Sequence, residues 1–333
     1  MSDMLEMIRT LGDQLRWGRD LDLPDLEPNP EVLVGGMGGS GIAGDFGAAL
    51  AARVTGRVAV HKGYSPLPGW VSRVRPTVVA ISYSGNTEET IDFVTAARDA
   101  RLSIVTITTG GRLADMSVGE GWPTISVPSG LQPRAAVGFL VGAVSRLLAS
   151  LEVLTDQRSA LDEAADLVDA ATSEGSETWG TARGLAKALT GRVSIIYGGG
   201  PISGTAAQRW KTQINENAKM PAWWSLLPEL DHNELVGWET LPSLTLDKLG
   251  VVALTDRSDH ARVRARLDHS SALTSYAVPW VAEISSAGES ELARLMSLTA
   301  TGDLVSWMLA EEAGVDPVPV ETIEKLKKLL VKD

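Results

Sequence analysis

The chain has 333 residues, 44% of them hydrophobic, enough apolar material for two ordinary cores, and a formal net charge of −12. That charge, with no basic stripe, argues against nucleic acid as a partner but leaves room for a small anion held by local donors. Cysteine is absent, which excludes disulfides, thiolate metal sites and cysteine nucleophiles. The acidic, amphipathic start from Met1 to Met7 has no apolar signal core, and no run approaches the ~20 apolar residues of a membrane span. A soluble, cytoplasmic protein with no membrane contact is expected.

After a helical lead-in to about Gly18, apolar runs alternate with amphipathic stretches. Strands are expected at 32–34, 58–60, 77–82, 103–108 and 124–127, with helices at 41–52, 88–97 and 134–151. Residues 156–189 read as charged helix. The pattern then recurs, with a strand at 193–197, a helix from near Gly204, strands at 251–254 and 276–278, and a long helix over 289–313. A last helix, 320–330, follows Asp316-Pro317-Val318-Pro319. Short apolar strands separated by helices predict an α/β fold with parallel sheets covered on both faces. The expected division is a first domain with its lead-in, 1–152, a helical connector, 153–190, and a second domain with its terminal helix, 191–333.

Ligands of parallel sheets collect beyond the carboxyl ends of the strands, where helix N-termini present free N–H groups. Two segments belong there. Gly35-Gly36-Met37-Gly38-Gly39-Ser40-Gly41 lets a backbone approach a ligand closely. It lacks the Gly-Lys-Ser/Thr of a P-loop. Its Gly36, Gly38 and Gly41 have dinucleotide-loop spacing, but no acidic residue clearly closes the second strand to hold a ribose. The second segment, Ser82-Tyr83-Ser84-Gly85-Asn86-Thr87, puts three hydroxyls around a turn into a helix, a cup suited to a phosphomonoester. A plain capping box at Thr87 would account for that residue, though not for serines at both 82 and 84. Together with Gly38-Gly39-Ser40-Gly41-Ile42-Ala43-Gly44-Asp45, this segment resembles the signatures of SIS (sugar isomerase) domains. The resemblance implies two SIS-type domains, each a parallel sheet flanked by helices on both faces.

The second half carries acid–base candidates. Aldose–ketose isomerisation needs a base between C1 and C2, an acid/base at the ring oxygen and a cation for the developing oxyanion. Glu216, His232 and Lys327 supply one residue of each type. Each also has an ordinary reading: Glu216 as a solvated helical glutamate, Lys327 as part of a charged helix face. Asp231, His232 and Glu234 could suggest a metal, but no second histidine has ligand spacing, so no metal and no cofactor are expected.

Arg209-Trp210-Lys211, Gln213, Asn215-Glu216-Asn217-Ala218-Lys219, Glu229-Leu230-Asp231-His232-Asn233-Glu234, Gln132-Pro133-Arg134 and Ile323-Glu324-Lys325-Leu326-Lys327 resemble the bifunctional phosphoglucose/phosphomannose isomerases. The resemblance implies a metal-free isomerase of glucose 6-phosphate and fructose 6-phosphate, acting also on mannose 6-phosphate. It implies Glu216 as the C1–C2 base, Arg134 as the enediolate cation, His232 as the ring-opening group supplied across a homodimer, and Lys327 as a helper near the ring. Gly39, Ser40, Ser82, Ser84 and Thr87 fall on the phosphate-binding positions. The threonine associated with mannose activity has Thr322 as its nearest counterpart and Val320 as its positional one. The alternatives are a non-catalytic sugar-phosphate-binding SIS protein and an isomerase of another sugar phosphate.

Overall fold

The computed structural model describes residues 3–330. Its strands form two sheets. The first contains β1 (Glu31–Gly35), β2 (Arg57–His61), β3 (Thr77–Ser82), β4 (Ile104–Thr108) and β5 (Thr124–Ser126) in the order β2-β1-β3-β4-β5. The second contains β6 (Val193–Gly198), β7 (Ala222–Leu226), β8 (Leu249–Thr255) and β9 (Trp280–Ser285) in the order β7-β6-β8-β9. Every pairing is parallel. All of β3 and β4 is buried, as strands covered by helices on both sides must be. The α/β class expected from the apolar runs is what forms, and the second sheet repeats the first four strands of the first in the same order.

In the first sheet the chain leaves β1 for β2 on one side and returns to β3 on the other. That makes the β1/β3 edge a topological switch point, where two helix N-termini open side by side. Those helices are Gly38–Leu50 and Glu88–Asp99.

Two strands depart from the expectation. The apolar triplet 276–278 is not a strand. Ala277 and Val278 are buried, but their amides both donate to the Thr274 carbonyl, at 2.8 and 3.0 Å, and so cannot enter a ladder. The strand, β9, begins two residues later. β7 was not anticipated, because Pro221 and Pro228 bracket it. It is an edge strand, paired on one side only with β6, where flanking prolines are tolerated. The glycine-rich helix also starts earlier than expected, at Gly38, and the helix expected from Arg134 starts at Val137.

The stretch expected to connect the halves forms helices Arg158–Thr172 and Glu177–Leu189. Both pack on the long helix Glu291–Ala313, and one hydrophobic cluster runs from Leu5 through Val168 and Leu185 to Leu309. No described helix is long and apolar enough to cross a membrane.

The centre of this cluster is the crossing of helices Pro201–Asn217 and Glu291–Ala313. Trp210 is fully buried there, and its indole N–H donates to the Leu298 carbonyl at 2.7 Å. It fits because residue 302 is glycine: a Cβ at Gly302 would lie 2.4 Å from the ring. Trp210→Ala is expected to destabilise the fold by about 3–5 kcal/mol through lost burial and a residual cavity. Urea unfolding followed by circular dichroism checks this; a loss under ~1 kcal/mol would contradict the packing described.

Candidate active site

At the carboxyl end of β3 the chain turns through Tyr83 to Thr87 into helix Glu88–Asp99. Thr87 occupies the N-cap position, yet its side chain makes no capping bond. Its hydroxyl pairs instead with Ser82 Oγ at 2.9 Å, and Ser82 Oγ also accepts the Thr87 amide at 3.4 Å. The capping account of this threonine is therefore not realised. Ser84 is exposed, with Oγ accepting the Asn86 amide at 3.3 Å. Gly85 has φ +70° and its Cα faces Gly110, where a Cβ would come within 1.7 Å of the carbonyl oxygen. Only glycine permits this turn.

The two loops touch. Ser40 is buried and its Oγ accepts the Tyr83 amide at 3.1 Å. Ser40, Ser82, Ser84 and Thr87 thus gather at the mouths of two helices, with donors for an anion and no cation among these four.

The glycine loop also abuts the segment carrying Arg134. A Cβ on Gly39 would lie 2.7 Å from the Pro133 oxygen and 3.1 Å from Arg134 Cα. Tyr83 fastens the approach to that segment: its hydroxyl donates to Pro128 O at 2.9 Å and accepts the Leu131 amide at 3.2 Å. Gln14 holds the far side through Ala135 O and the Gly138 amide, at 2.9 and 3.0 Å.

Arg134 is only 3% exposed and joins the halves of the chain. Its Nε donates to Asn217 Oδ1 at 2.7 Å, and Nη2 donates to the carbonyls of Pro317 and Val318 at 2.6 and 2.9 Å. That leaves Nη1, which stands 3.6 Å from Glu216 Oε2. Burial presses the guanidinium pKa down while Glu216 supports its charge. Beneath it lies a buried polar net. Arg209 pairs with Asp303 at 2.7 Å, Gln213 donates to the same carboxylate at 3.0 Å, and Asn217 donates to Ser306 Oγ at 2.9 Å. Burial pushes the Asp303 carboxyl up, against the pull of Arg209.

Glu216 sits in the last turn of helix Pro201–Asn217, 27% exposed at its side chain. It opens into a pocket of about 620 Å³ shared with Asn215, Lys219 and the segment from Val315 to Ile323. Both Val320 and Thr322 line it. Lys219 follows the helix with φ +57°, as residues just past a helix end often do. Its ammonium donates to the carbonyls of Glu216, Pro317 and Pro319 at 2.5, 3.1 and 2.6 Å. Partial burial, then Arg134, hold its pKa below the usual lysine range.

Two expected residues are not brought to this pocket. His232 is exposed at the end of the short 3₁₀ turn Glu229–His232, which Asp231 anchors to Ser270 and Arg266 at 2.8 and 3.1 Å. Lys327 is exposed on helix Glu321–Leu330, whose first turn lines the pocket but whose later turns do not.

The chain is similar to known proteins over nearly its whole length. The chain is 38% identical to the bifunctional phosphoglucose/phosphomannose isomerase of Caldicellulosiruptor bescii, covering 91% of this chain and 90% of that one. It is 35% identical to the enzyme of the same name from Aquifex aeolicus, over 100% and 99%. The chain belongs to the bifunctional phosphoglucose/phosphomannose isomerase family. The family model described as the bacterial phospho-glucose isomerase C-terminal SIS domain matches residues 180–330 of this family member. Among solved structures, tagatose-6-phosphate ketose/aldose isomerase from Escherichia coli matches with TM-score 0.69 at 16% identity, over 94% of this chain and 93% of that one. At that identity the likeness concerns the fold alone.

Sequence reasoning gave no role of their own to Tyr83, Lys219, Arg209 and Gln213 in this family member, and did not name Asp303. The spacing of Arg209, Gln213 and Asn217 was a usable signal, since residues four apart share one helix face. Asp303→Asn removes the charge that compensates buried Arg209. It is expected to cost about 3–5 kcal/mol and to lower turnover by loosening Asn217 and Arg134. Chemical denaturation together with kcat checks both; an unchanged unfolding midpoint would contradict the role given to the pair.

Proposed function

We propose that this chain interconverts glucose 6-phosphate and mannose 6-phosphate with fructose 6-phosphate as an aldose–ketose isomerase. The observation that carries the proposal is Glu216, a pocket-facing carboxylate 3.6 Å from the buried Arg134 guanidinium. A carboxylate can take the proton from C2 of the open-chain aldose and return it to C1, while the hydroxyl proton passes from O2 to O1. The electrons left behind form a cis-enediol(ate) whose oxygen charge the fixed Arg134 stabilises without reorganising. Arg134 fills the role of electrostatic catalyst, and the mechanism calls for no metal.

In this reading the substrate phosphate lies in the cup of Gly39, Ser40, Ser82, Ser84 and Thr87, held by hydroxyls and by the first-turn amides of helix Glu88–Asp99. His232 acts at the ring oxygen from a second copy of the chain. Its exposure away from the Glu216 pocket supports that arrangement, as does the apolar face of helix Glu321–Leu330, which leaves Ile323, Leu326 and Leu329 43%, 56% and 60% exposed. Lys327, on the same helix, assists at the ring in the dimer. The chain comprises two SIS-type domains, 1–152 and 191–333, with the helices of 153–190 packed between and beside them. The repeated strand order supports this division.

A coupled assay with fructose 6-phosphate in excess EDTA should register both glucose 6-phosphate and mannose 6-phosphate. Folded protein without turnover would overturn the proposal, and faster turnover of glucosamine 6-phosphate would redirect it to another sugar phosphate. Glu216→Gln should lower kcat about 10²–10⁴-fold, the range for loss of a general base, while fructose 6-phosphate still protects against thermal unfolding. A near-normal rate in that variant would remove Glu216 as the base.

A further inference from the structure

Because the sheets share their strand order, the cup of the first can be laid on the second. β1 ends at Gly35 and β6 at Gly198, and five residues beyond each stands a buried serine, Ser40 and Ser203, followed by Gly41 and Gly204. β3 ends at Ser82 and β8 at Thr255, and five residues beyond each stands the N-cap of the next helix, Thr87 and His260. The correspondence thus pairs Tyr83 with Asp256 and Asn86 with Asp259.

The two turns differ at that last pair. In the first unit Asn86 faces outward, its Oδ1 accepting the Arg112 amide at 3.0 Å, and the Tyr83 amide reaches Ser40 Oγ directly. In the second, Asp259 faces inward. Its carboxylate accepts the Ser203 hydroxyl at 3.1 and 3.0 Å and the Asp256 amide at 2.8 Å. It is therefore inserted between the two groups that touch each other in the first unit. It also lies against the glycine turn, since a Cβ on Gly200 would be 2.2 Å from Asp259 Oδ1. Ser203 Oγ accepts the amides of both Gly199 and Gly200, at 2.9 and 3.0 Å, which fixes its hydroxyl toward Asp259. Above it lies a pocket of about 390 Å³ whose lining includes Asp256, Arg257 and Arg264, the arginines being paired with Glu289 and Glu283 respectively. A serine hydroxyl and a backbone amide at the mouths of two helices are what an oxyanion ligand would use, and the Asp259 carboxylate is itself an oxyanion held by that pair.

We infer that the second unit retains an oxyanion cradle of the same design as the first, and that the chain's own Asp259 carboxylate fills it in place of a phosphate. Each chain accordingly binds one phosphate, although the architecture is duplicated. The inference rests on the first cup's being a phosphate site, and the experiment separates the two.

Calorimetric titration with inorganic phosphate should give one equivalent per wild-type chain and none for Ser84→Ala/Thr87→Val. Asp259→Ser should gain a second equivalent, and should keep one when combined with Ser84→Ala/Thr87→Val. Asp259→Asn, which fills the cradle with a neutral group of the same size, should stay at one. A folded Asp259→Ser that binds only one equivalent, lost on adding the Ser84 and Thr87 changes, would overturn the inference. If Asp259→Ser does not fold in plain buffer, phosphate should restore its cooperative unfolding; failure of that rescue overturns it equally. Wild type binding none while Asp259→Ser binds one would instead defeat the reading of the first cup, and with it the single phosphate per wild-type chain, while showing that Asp259 fills an oxyanion cradle in the second unit.

Discussion

The arrangement depends on a buried cation that has almost no freedom left. Arg134 spends Nε on Asn217 and Nη2 on the carbonyls of Pro317 and Val318, so a single edge of its guanidinium, Nη1, faces Glu216. A charge taken out of water is tolerable only when its donors are matched and opposite charge lies near. Here Glu216 and Asp303 answer Arg134 and Arg209. The fold enforces the match by drawing on three distant stretches: the loop before helix Val137–Ser150, the end of helix Pro201–Asn217 and the strap after helix Glu291–Ala313. Because those donors are committed, only Nη1 is left beside Glu216, which is why the proposed mechanism assigns Arg134 to the enediolate and not to the phosphate.

In the proposed function this division of labour lets the serine–threonine cup hold a phosphate without a side-chain cation. Ser40, Ser82, Ser84 and Thr87 lie where two helix dipoles converge, and the Gly39 contact with Pro133 and Arg134 fixes how far the cup stands from the reacting end. A bulkier residue at 39 would push those loops apart. Cup and cation are thus coupled through backbone contact. Lys219 adds to the same constraint, since it shares the Pro317 carbonyl with Arg134 and ties the strap back to the Glu216 turn.

Much of the fold could be read in the sequence because its information is local. The run from Thr77 to Ser82 is apolar along its length because both faces are covered, and the hydroxyls that follow it belong to one turn. β7 escaped because an edge strand is permitted prolines at its ends, and 276–278 misled because burial does not require a ladder. Within the candidate site, the spacing of Ser82, Ser84 and Thr87 pointed to one turn, and the structure places them on one. Glu216, Arg134, His232 and Lys327 were expected through family resemblance; the structure sets Glu216 beside Arg134 and leaves His232 and Lys327 outside the pocket of their own chain. What stayed hidden was long-range: Asp303 under Arg209, Gly39 against Arg134, and Tyr83 pinning the 128–131 segment. No window of sequence contains both members of any of these pairs. The second cradle was hidden for the same reason, since Asp259 reads as an ordinary residue before a helix until β6 and β8 are seen side by side.

The orientation of the sugar is the central claim, and a crystal structure of the Glu216→Gln variant with fructose 6-phosphate measures it directly. The account predicts the phosphate oxygens within hydrogen-bond reach of the Ser84 and Thr87 hydroxyls, with C1 and C2 directed at residue 216 and Arg134. A phosphate lodged instead against Arg134 and Lys219, with the carbonyl end of the sugar in the serine–threonine cup, would contradict it.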